Sequence, residues 1–362
     1  MGLSVLSIAF PFAPVGPDSV GGAEQVLAQL DAALVRAGQR SVVVACAGSR
    51  PAGILVETPA VSGPITDAVR RLAHQAHRRA IERALRRWPI DLIHLHGIDC
   101  HAYLPPPGPP ALVTLHLPSE WYPPAIFHPE RPNTFLHCVS AAQRARCPAG
   151  ARLLPDVPNG VAVDAFAGRH ARRRFALALG RICPEKGFHI ALDAAQRAGV
   201  PLLLAGQTFP YAAHERYFAR EIAPRLDGKR RFIGPIGPAR KRRLLGAARC
   251  LLLPSLAPET SSLVAMEALA CGTPVVAFPA GALPEIVEHG RTGYIVQDEP
   301  EMAAAIHAAA AIDPGTCRAA ARQRFSLART IERYFALYRE LAARGRVDPG
   351  ELEPGRALET HA

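Results

Sequence analysis

Aromatic residues make up only 6% of this 362-residue chain, and it holds just 2 tryptophans and 3 methionines. Proteins that read single-stranded nucleic acid interleave basic residues with aromatic side chains on which bases stack. The basic clusters here, Arg86/Arg87, Arg172–Arg174, Lys229–Arg231 and Arg240–Arg243, lack that interleaving and carry no RRM, KH or zinc-finger signature. No nucleic-acid partner is therefore expected, although the formal net charge is +11. The eight cysteines (46, 100, 138, 147, 183, 250, 271 and 317) form no CxxC and sit mostly in apolar runs, which reads as reduced, buried thiols in a cytoplasmic protein. Long apolar helices are missing too. The longest nearly uncharged stretch, Ala268–Val287, is broken by Gly272, Pro274, Pro279, Gly281 and Pro284, so no membrane span is expected. The run Leu3–Phe12 has no cationic flank and meets Pro11 and Pro14, which argues against a secretory signal.

What is present is a globular composition, 49% hydrophobic and 20% charged. At roughly 100–200 residues per domain the length suggests two domains. Short apolar runs alternate with stretches of helical period, the mark of an α/β protein with parallel sheets. In the first half the strands are Leu3–Phe12, Ser41–Ala47, Ile90–His96, Ala111–Leu117 and Phe135–Ser140, with helices over Ala23–Ala37 and His74–Trp88. After the Pro158-Asn159-Gly160 turn the pattern restarts. A basic patch, Arg169–Arg174, precedes a strand at Phe175–Gly180, a loop at Arg181–Gly187 and a helix at Phe188–Ala198. Short strands follow at Leu202–Gly206, Arg231–Ile233, Cys250–Pro254 and Pro274–Phe278. Both halves open with strand, glycine-containing loop and helix, which predicts an α/β fold of two doubly wound, Rossmann-like domains facing across a cleft.

The densest chemical signal lies in Pro254–Thr273. A helix is expected to start near Thr260–Ser262, residues suited to an N-cap, and to end at Cys271 before Gly272. Glu267 sits deep in that helix among apolar or small neighbours, where a carboxylate is costly to bury alone. It lies outside the spacing of a capping box, so it is either a ligand group or half of a buried ion pair with an arginine. Glu259 stands just ahead of the same helix, whose backbone N–H groups at Ser262, Leu263 and Val264 form an anion site. Two carboxylates around a phosphate cradle suit a diphosphate flanked by hydroxyl-bearing sugars. Arg181 and Lys186, between a strand and a helix, are placed either to neutralise phosphates or to pair with Glu185 in a solvated loop.

These residues resemble retaining glycosyltransferases of family 4, which have the GT-B fold. The resemblance rests on Glu259 and Glu267 with seven residues between them, followed by ALACGTPVVA and GALPEIVEHGRTGYIV. The Arg181/Lys186 loop, the Gly21-Gly22-Ala23-Glu24 loop and the Pro158-Asn159-Gly160-Val161 turn occur in matching order, so it covers most of the chain. It implies a nucleotide-diphosphate-sugar donor, with Arg181 and Lys186 on the diphosphate and Glu267 on the ribose. Glu259 would hold the donor sugar, the amides of Ser262, Leu263 and Val264 the β-phosphate, and Gly21 and Gly22 would approach from the other domain. His116 matches the family's active-site histidine. One departure stands out: Ser261 and Ser262 replace the family's usual Phe-Gly.

By the same resemblance the reaction is transfer to an acceptor hydroxyl with retention, in glycan or cell-envelope polysaccharide or glycolipid synthesis. None of the twelve aspartates forms Asp-x-Asp, so no metal and no other cofactor is expected. A nucleotide-sugar hydrolase or epimerase on the same scaffold is the alternative. The basic helix His74–Trp88 could rest on anionic lipid, giving a cytoplasmic enzyme with peripheral membrane contact, or pack as an ordinary surface helix. The expected division is residues 1–165 on the acceptor side, 166–329 for the donor, a helix over 330–345 crossing back to the first domain, and a frayed tail at 346–362.

Overall fold

The computed structural model describes residues 2–19, 21–168, 174–209 and 211–345. Residues 169–173 of the basic patch and the tail after 345 lie outside the described residues.

Two six-stranded sheets, parallel throughout, organise the chain. The first contains β1 (Ser4–Ile8), β2 (Arg40–Cys46), β3 (Ile54–Thr58), β4 (Leu92–Leu95), β5 (Ala111–Leu115) and β6 (Thr134–Cys138) in the order β3-β2-β1-β4-β5-β6. The second contains β7 (Ala176–Leu179), β8 (Leu202–Ala205), β9 (Arg230–Phe232), β10 (Cys250–Leu253), β11 (Val275–Ala277) and β12 (Gly293–Ile295) in the order β12-β11-β10-β7-β8-β9. Counted from its own first strand, the second repeats the order of the first, which is that of a doubly wound nucleotide-binding fold. Helices α1 (Gly22–Arg36), α2 (Asp67–Arg87) and α3 (Ala141–Ala145) belong to the first half. Helices α4 (Phe188–Arg197), α5 (Ala212–Tyr217), α6 (Pro238–Ala247), α7 (Leu263–Ala270), α8 (Leu283–Ile286), α9 (Glu299–Ala308), α10 (Pro314–Arg324) and α11 (Leu327–Arg344) follow.

The apolar runs form strands because both sheet faces are covered, so every position of β1, β4, β5 and β10 is buried. Alternation divides them between two cores. Leu6, Ile8, Val42, Val44 and Ile93 meet α2 through Ala80, Ile81 and Ala84, whereas Val5, Leu92 and Leu112 meet α1 through Val26, Leu30 and Leu34. Tyr334, Tyr338 and Leu341 of α11 complete that second core, so the last described helix packs on the first sheet.

Several elements differ from the sequence expectation. Helix α2 begins at Asp67, not His74, with the Thr66 hydroxyl accepting from the Val69 N–H at 3.3 Å. Its buried residues start only at His77 and Leu72 is 67% exposed, so the apolar period hid the first two turns. The apolar side of this helix is buried in the first core. Strands β3 and β12 were not anticipated; both flank their sheets, and β3 shows only Val56 and Thr58 buried. Helix α7 begins at Leu263 with Ser262 in the cap position, yet no side chain caps it: the Thr260 hydroxyl turns to the other domain instead.

Candidate active site between the two sheets

In doubly wound sheets ligands bind beyond the carboxyl ends of the strands, where the strand order reverses. That point lies between β1 and β4 in the first sheet and between β7 and β10 in the second. The β1–α1 loop ends in Gly21 and Gly22, and β4 is followed by His96. The β7–α4 loop carries Arg181 to Gly187, and the β10–α7 loop carries Ser255, Glu259 and Ser262. Topology therefore brings nearly all the sequence-expected site residues to two facing edges.

The two edges touch. Gly22, in the first turn of α1, stands opposite Leu263 of α7, close enough that an added Cβ would make van der Waals contact at 3.8 Å. The Thr260 hydroxyl donates to the His116 carbonyl at 2.8 Å across the cleft. Two helix N-termini of opposite domains thus converge. In α7 the first intrahelical bond runs from Met266 N–H to the Ser262 carbonyl, leaving the amides ahead of it, including Leu263 and Val264, without intrahelical partners. Ser262 has φ −102° and ψ 91°, an ordinary conformation for any residue. Serine in place of glycine therefore imposes no backbone strain at this position.

Glu259 is held from two sides. Lys186 Nζ and Ser255 Oγ each lie 2.5 Å from its Oε1. Burial alone would raise this carboxyl, but the Lys186 ammonium, the Ser255 hydroxyl and the Arg181 charge bring it below its ordinary value. Two glycines make this packing possible. Gly187 has φ 62°, and a Cβ there would overlap the Pro254 carbonyl; Gly281 has φ 58° and lies against the Glu259 backbone, with Ala282 N–H bonded to the Glu259 carbonyl at 2.7 Å. Arg181 is exposed and acts electrostatically on both Glu259 and Glu24.

Glu267 is buried and forms an ion pair with Lys241 of α6 at 2.5 Å. The ion-pair alternative is thus realised with a lysine rather than an arginine. Burial raises the Glu267 carboxyl, with Lys241 opposing. His116, at the end of β5, is half-buried; its Nε2 lies 2.9 Å from His96 Nδ1, and burial pushes it down to about 3, so it is neutral at pH 7.

Four participants escaped sequence reasoning. Lys241 was visible only as one member of a charge run. Ser255 carried no signal. Glu24, quoted in the sequence only as the end of the Gly21-Gly22-Ala23-Glu24 loop, is buried in the first turn of α1, where burial raises its carboxyl. The fourth is a chain of neutral groups beneath the site. His137 Nδ1–H donates to the Cys138 carbonyl at 3.0 Å, so its Nε2 accepts from the Thr114 hydroxyl at 2.7 Å. Thr114 in turn accepts from His94 Nε2–H at 2.7 Å, and His94 Nδ1 accepts from the Tyr338 hydroxyl of α11 at 2.7 Å.

Two facing Rossmann-like domains with a cleft built from both switch points define the GT-B class. Residues 20–183 match the family model described as Glycosyltransferase Family 4, and residues 173–311 that described as Glycosyl transferases group 1. The chain is thus related to the family 4 glycosyltransferases, its two halves matching these two models in turn. It is 32% identical to a phosphatidyl-myo-inositol mannosyltransferase of Mycobacterium tuberculosis over 163 residues, a match that spans 41% of this chain and only 42% of that enzyme. To the enzyme of that name from Mycolicibacterium smegmatis it is 28% identical over 331 residues, covering 81% of this chain and 82% of the relative. Among solved structures, AviGT4, a glycosyltransferase involved in avilamycin A biosynthesis, superimposes with a TM-score of 0.68 at 25% identity, covering 94% of this chain and 98% of the other. Anabaena Alr3699/HepE, solved with UDP-glucose, gives 0.68 at 20% identity over 93% and 99%.

Proposed function

We propose that this protein transfers a sugar, with retention, from a nucleotide-diphosphate-sugar to an acceptor hydroxyl. The observation that carries the reading is the convergence of Arg181, Lys186 and the α7 N-terminus on one side of the cleft, facing Gly21 and Gly22 on the other. Arg181 and Lys186 neutralise the diphosphate, and the α7 amides bind its β-phosphate. Arrival of the phosphate draws Lys186 away from Glu259, freeing that carboxylate to accept hydrogen bonds from the donor sugar. Glu267 binds the ribose, with Lys241 opposing the effect of burial on its carboxyl. Neutral His116 uses Nε2 toward His96, which leaves its other nitrogen for a sugar hydroxyl.

In the transfer the bond from the anomeric carbon to the diphosphate oxygen breaks, and a bond to the acceptor oxygen forms on the same face. The acceptor proton passes to the departing phosphate oxygen. The protein thus supplies positioning and charge stabilisation rather than a strong base. The two cations and the helix terminus make a metal on the diphosphate unnecessary.

Similarity to mannosyltransferases that carry a phosphatidylinositol name supports an acceptor in glycolipid or polysaccharide synthesis, and the UDP-glucose-bound neighbour supports a UDP-type donor. Among the described residues no helix is long and apolar enough to cross a membrane; the basic face of α2 is our proposed peripheral contact in the cytoplasm. A thermal-shift panel of UDP-, GDP- and ADP-sugars should pick out one nucleotide, and transfer with that donor should keep its kcat at saturating donor after chelation. Free sugar or an isomer formed from donor alone at turnover rates would instead establish a hydrolase or an epimerase.

A further inference from the structure

The loop that carries Arg181 and Lys186 also holds a second set of polar groups. Cys183 and Glu185, two residues apart in the β7–α4 turn, meet His214 of α5, and one ligand atom from each lies within 4.8 Å of the other two. The backbone ties the turn to the segment that precedes α5: Ile182 N–H bonds the Gln207 carbonyl at 2.9 Å. The Cys183 thiol is buried, with the Arg181 carbonyl 3.7 Å away. The Nδ1 nitrogen of His214 is buried without any hydrogen-bond partner. A buried imidazole nitrogen left unpaired beside a thiol and a carboxylate is costly as a packing arrangement and suited to a metal.

We propose that Cys183, Glu185 and His214 bind a single divalent zinc ion that ties the diphosphate loop to α5. One sulfur, one imidazole nitrogen and one carboxylate oxygen form a borderline-soft donor set that fits tetrahedral zinc and disfavours magnesium or calcium, which take oxygen ligands. Three protein ligands leave a fourth position for water. The spacing escaped sequence reading because Cys183 has no CxxC partner and His214 lies 29 residues beyond Glu185, so only the fold joins them.

Zinc takes cysteine as the thiolate and histidine and carboxylate without their protons, so binding displaces the thiol proton of Cys183 to solvent and leaves a thiolate bonded to the metal. The site sits beside the diphosphate cations without using them, so zinc adds net positive charge there. Zinc-loaded protein should consequently bind the nucleotide diphosphate more tightly, a consequence that rests on the donor reading above.

The test uses the full chain stripped of metal and titrated with Co²⁺. One equivalent should raise a thiolate-to-cobalt charge-transfer band, Cys183→Ser should lose it, and His214→Ala should weaken binding at least tenfold. Lys186→Ala should retain the band while losing nucleotide binding, so failure of the metal site and failure of the donor reading are distinguishable. Should either ligand variant misfold, calorimetry of Zn²⁺ binding to the unaltered protein in two buffers of different ionisation enthalpy reads the expected release of one proton. No stoichiometric binding, binding without proton release, or an undiminished band in folded Cys183→Ser would overturn the site.

Discussion

Lys186 and Glu267 make the residue-scale case. Each is half of an ion pair in the described state, Lys186 with Glu259 and Glu267 with Lys241. Replacing Lys186 by alanine should remove a charge-assisted contact of about 1.5–3 kcal/mol with the diphosphate, weakening donor binding at least tenfold and erasing the donor-induced thermal shift. Glu267→Ala should erase the same shift and also lower stability by about 1–3 kcal/mol, because it strands Lys241 in a partly buried position. Denaturant titration of both variants without ligand separates the two effects. Glu259 and Glu267 were legible because acids in an apolar, helix-starting segment break a pattern. Their partners were not: an ion pair is a relation between elements, and Lys241 is 26 residues from Glu267 while Lys186 is 73 from Glu259.

Among the elements, α7 carries most of the site and shows how local rules can mislead. Serine at 262 suits an N-cap, but the side chain makes no cap bond and φ is negative. Ser262→Gly should therefore change stability by no more than about 0.5 kcal/mol and leave donor affinity within a factor of two, measured by denaturant midpoint and donor titration. A large loss would mean that the Ser262 hydroxyl itself contacts the phosphate. Helix α2 illustrates the opposite error, since its Thr66 cap was in plain view but its first turns bury nothing. The repeated strand, loop and helix units were readable from period alone, whereas the short flanking strands β3 and β12 were not, because their few residues carry too little alternation.

At the scale of the whole molecule, α11 binds the last described part of the chain to the first sheet through the Tyr338, His94, Thr114 and His137 chain. Tyr338→Phe would leave His94 Nδ1 buried and unsatisfied, and should cost about 1–3 kcal/mol in global unfolding without moving donor affinity. The buried histidines also set a pH dependence. Burial pushes His77 and His137 down to about 4 and His116 to about 3, and holds His94 and His96 well below the ordinary value. Between pH 6.5 and 4 the unfolded chain binds protons that the folded one refuses. Stability should accordingly be full above pH 6.5 and fall as pH drops, by up to about 1.4 kcal/mol per unit for each such histidine. Denaturant midpoints at pH 7.5 and 5 check this; a flat profile would mean that the folded histidines accept protons.

The alternation of apolar runs and helical periods, with glycines and polar residues at the turns, was enough to specify two doubly wound sheets. Period and capping act inside single strands and helices, over a few residues to a few turns, even though the strands they define pair over distances such as Val5 to Leu92. Which groups meet across the cleft was decided only in three dimensions. Thr260 reaches the His116 carbonyl 144 residues away, and Tyr338 reaches His94 across 244. No local pattern encodes such distances. The positive charge of the chain is a property of its composition, but the placement of Arg181 and Lys186 beside a helix N-terminus depends on where the strand order of the second sheet reverses.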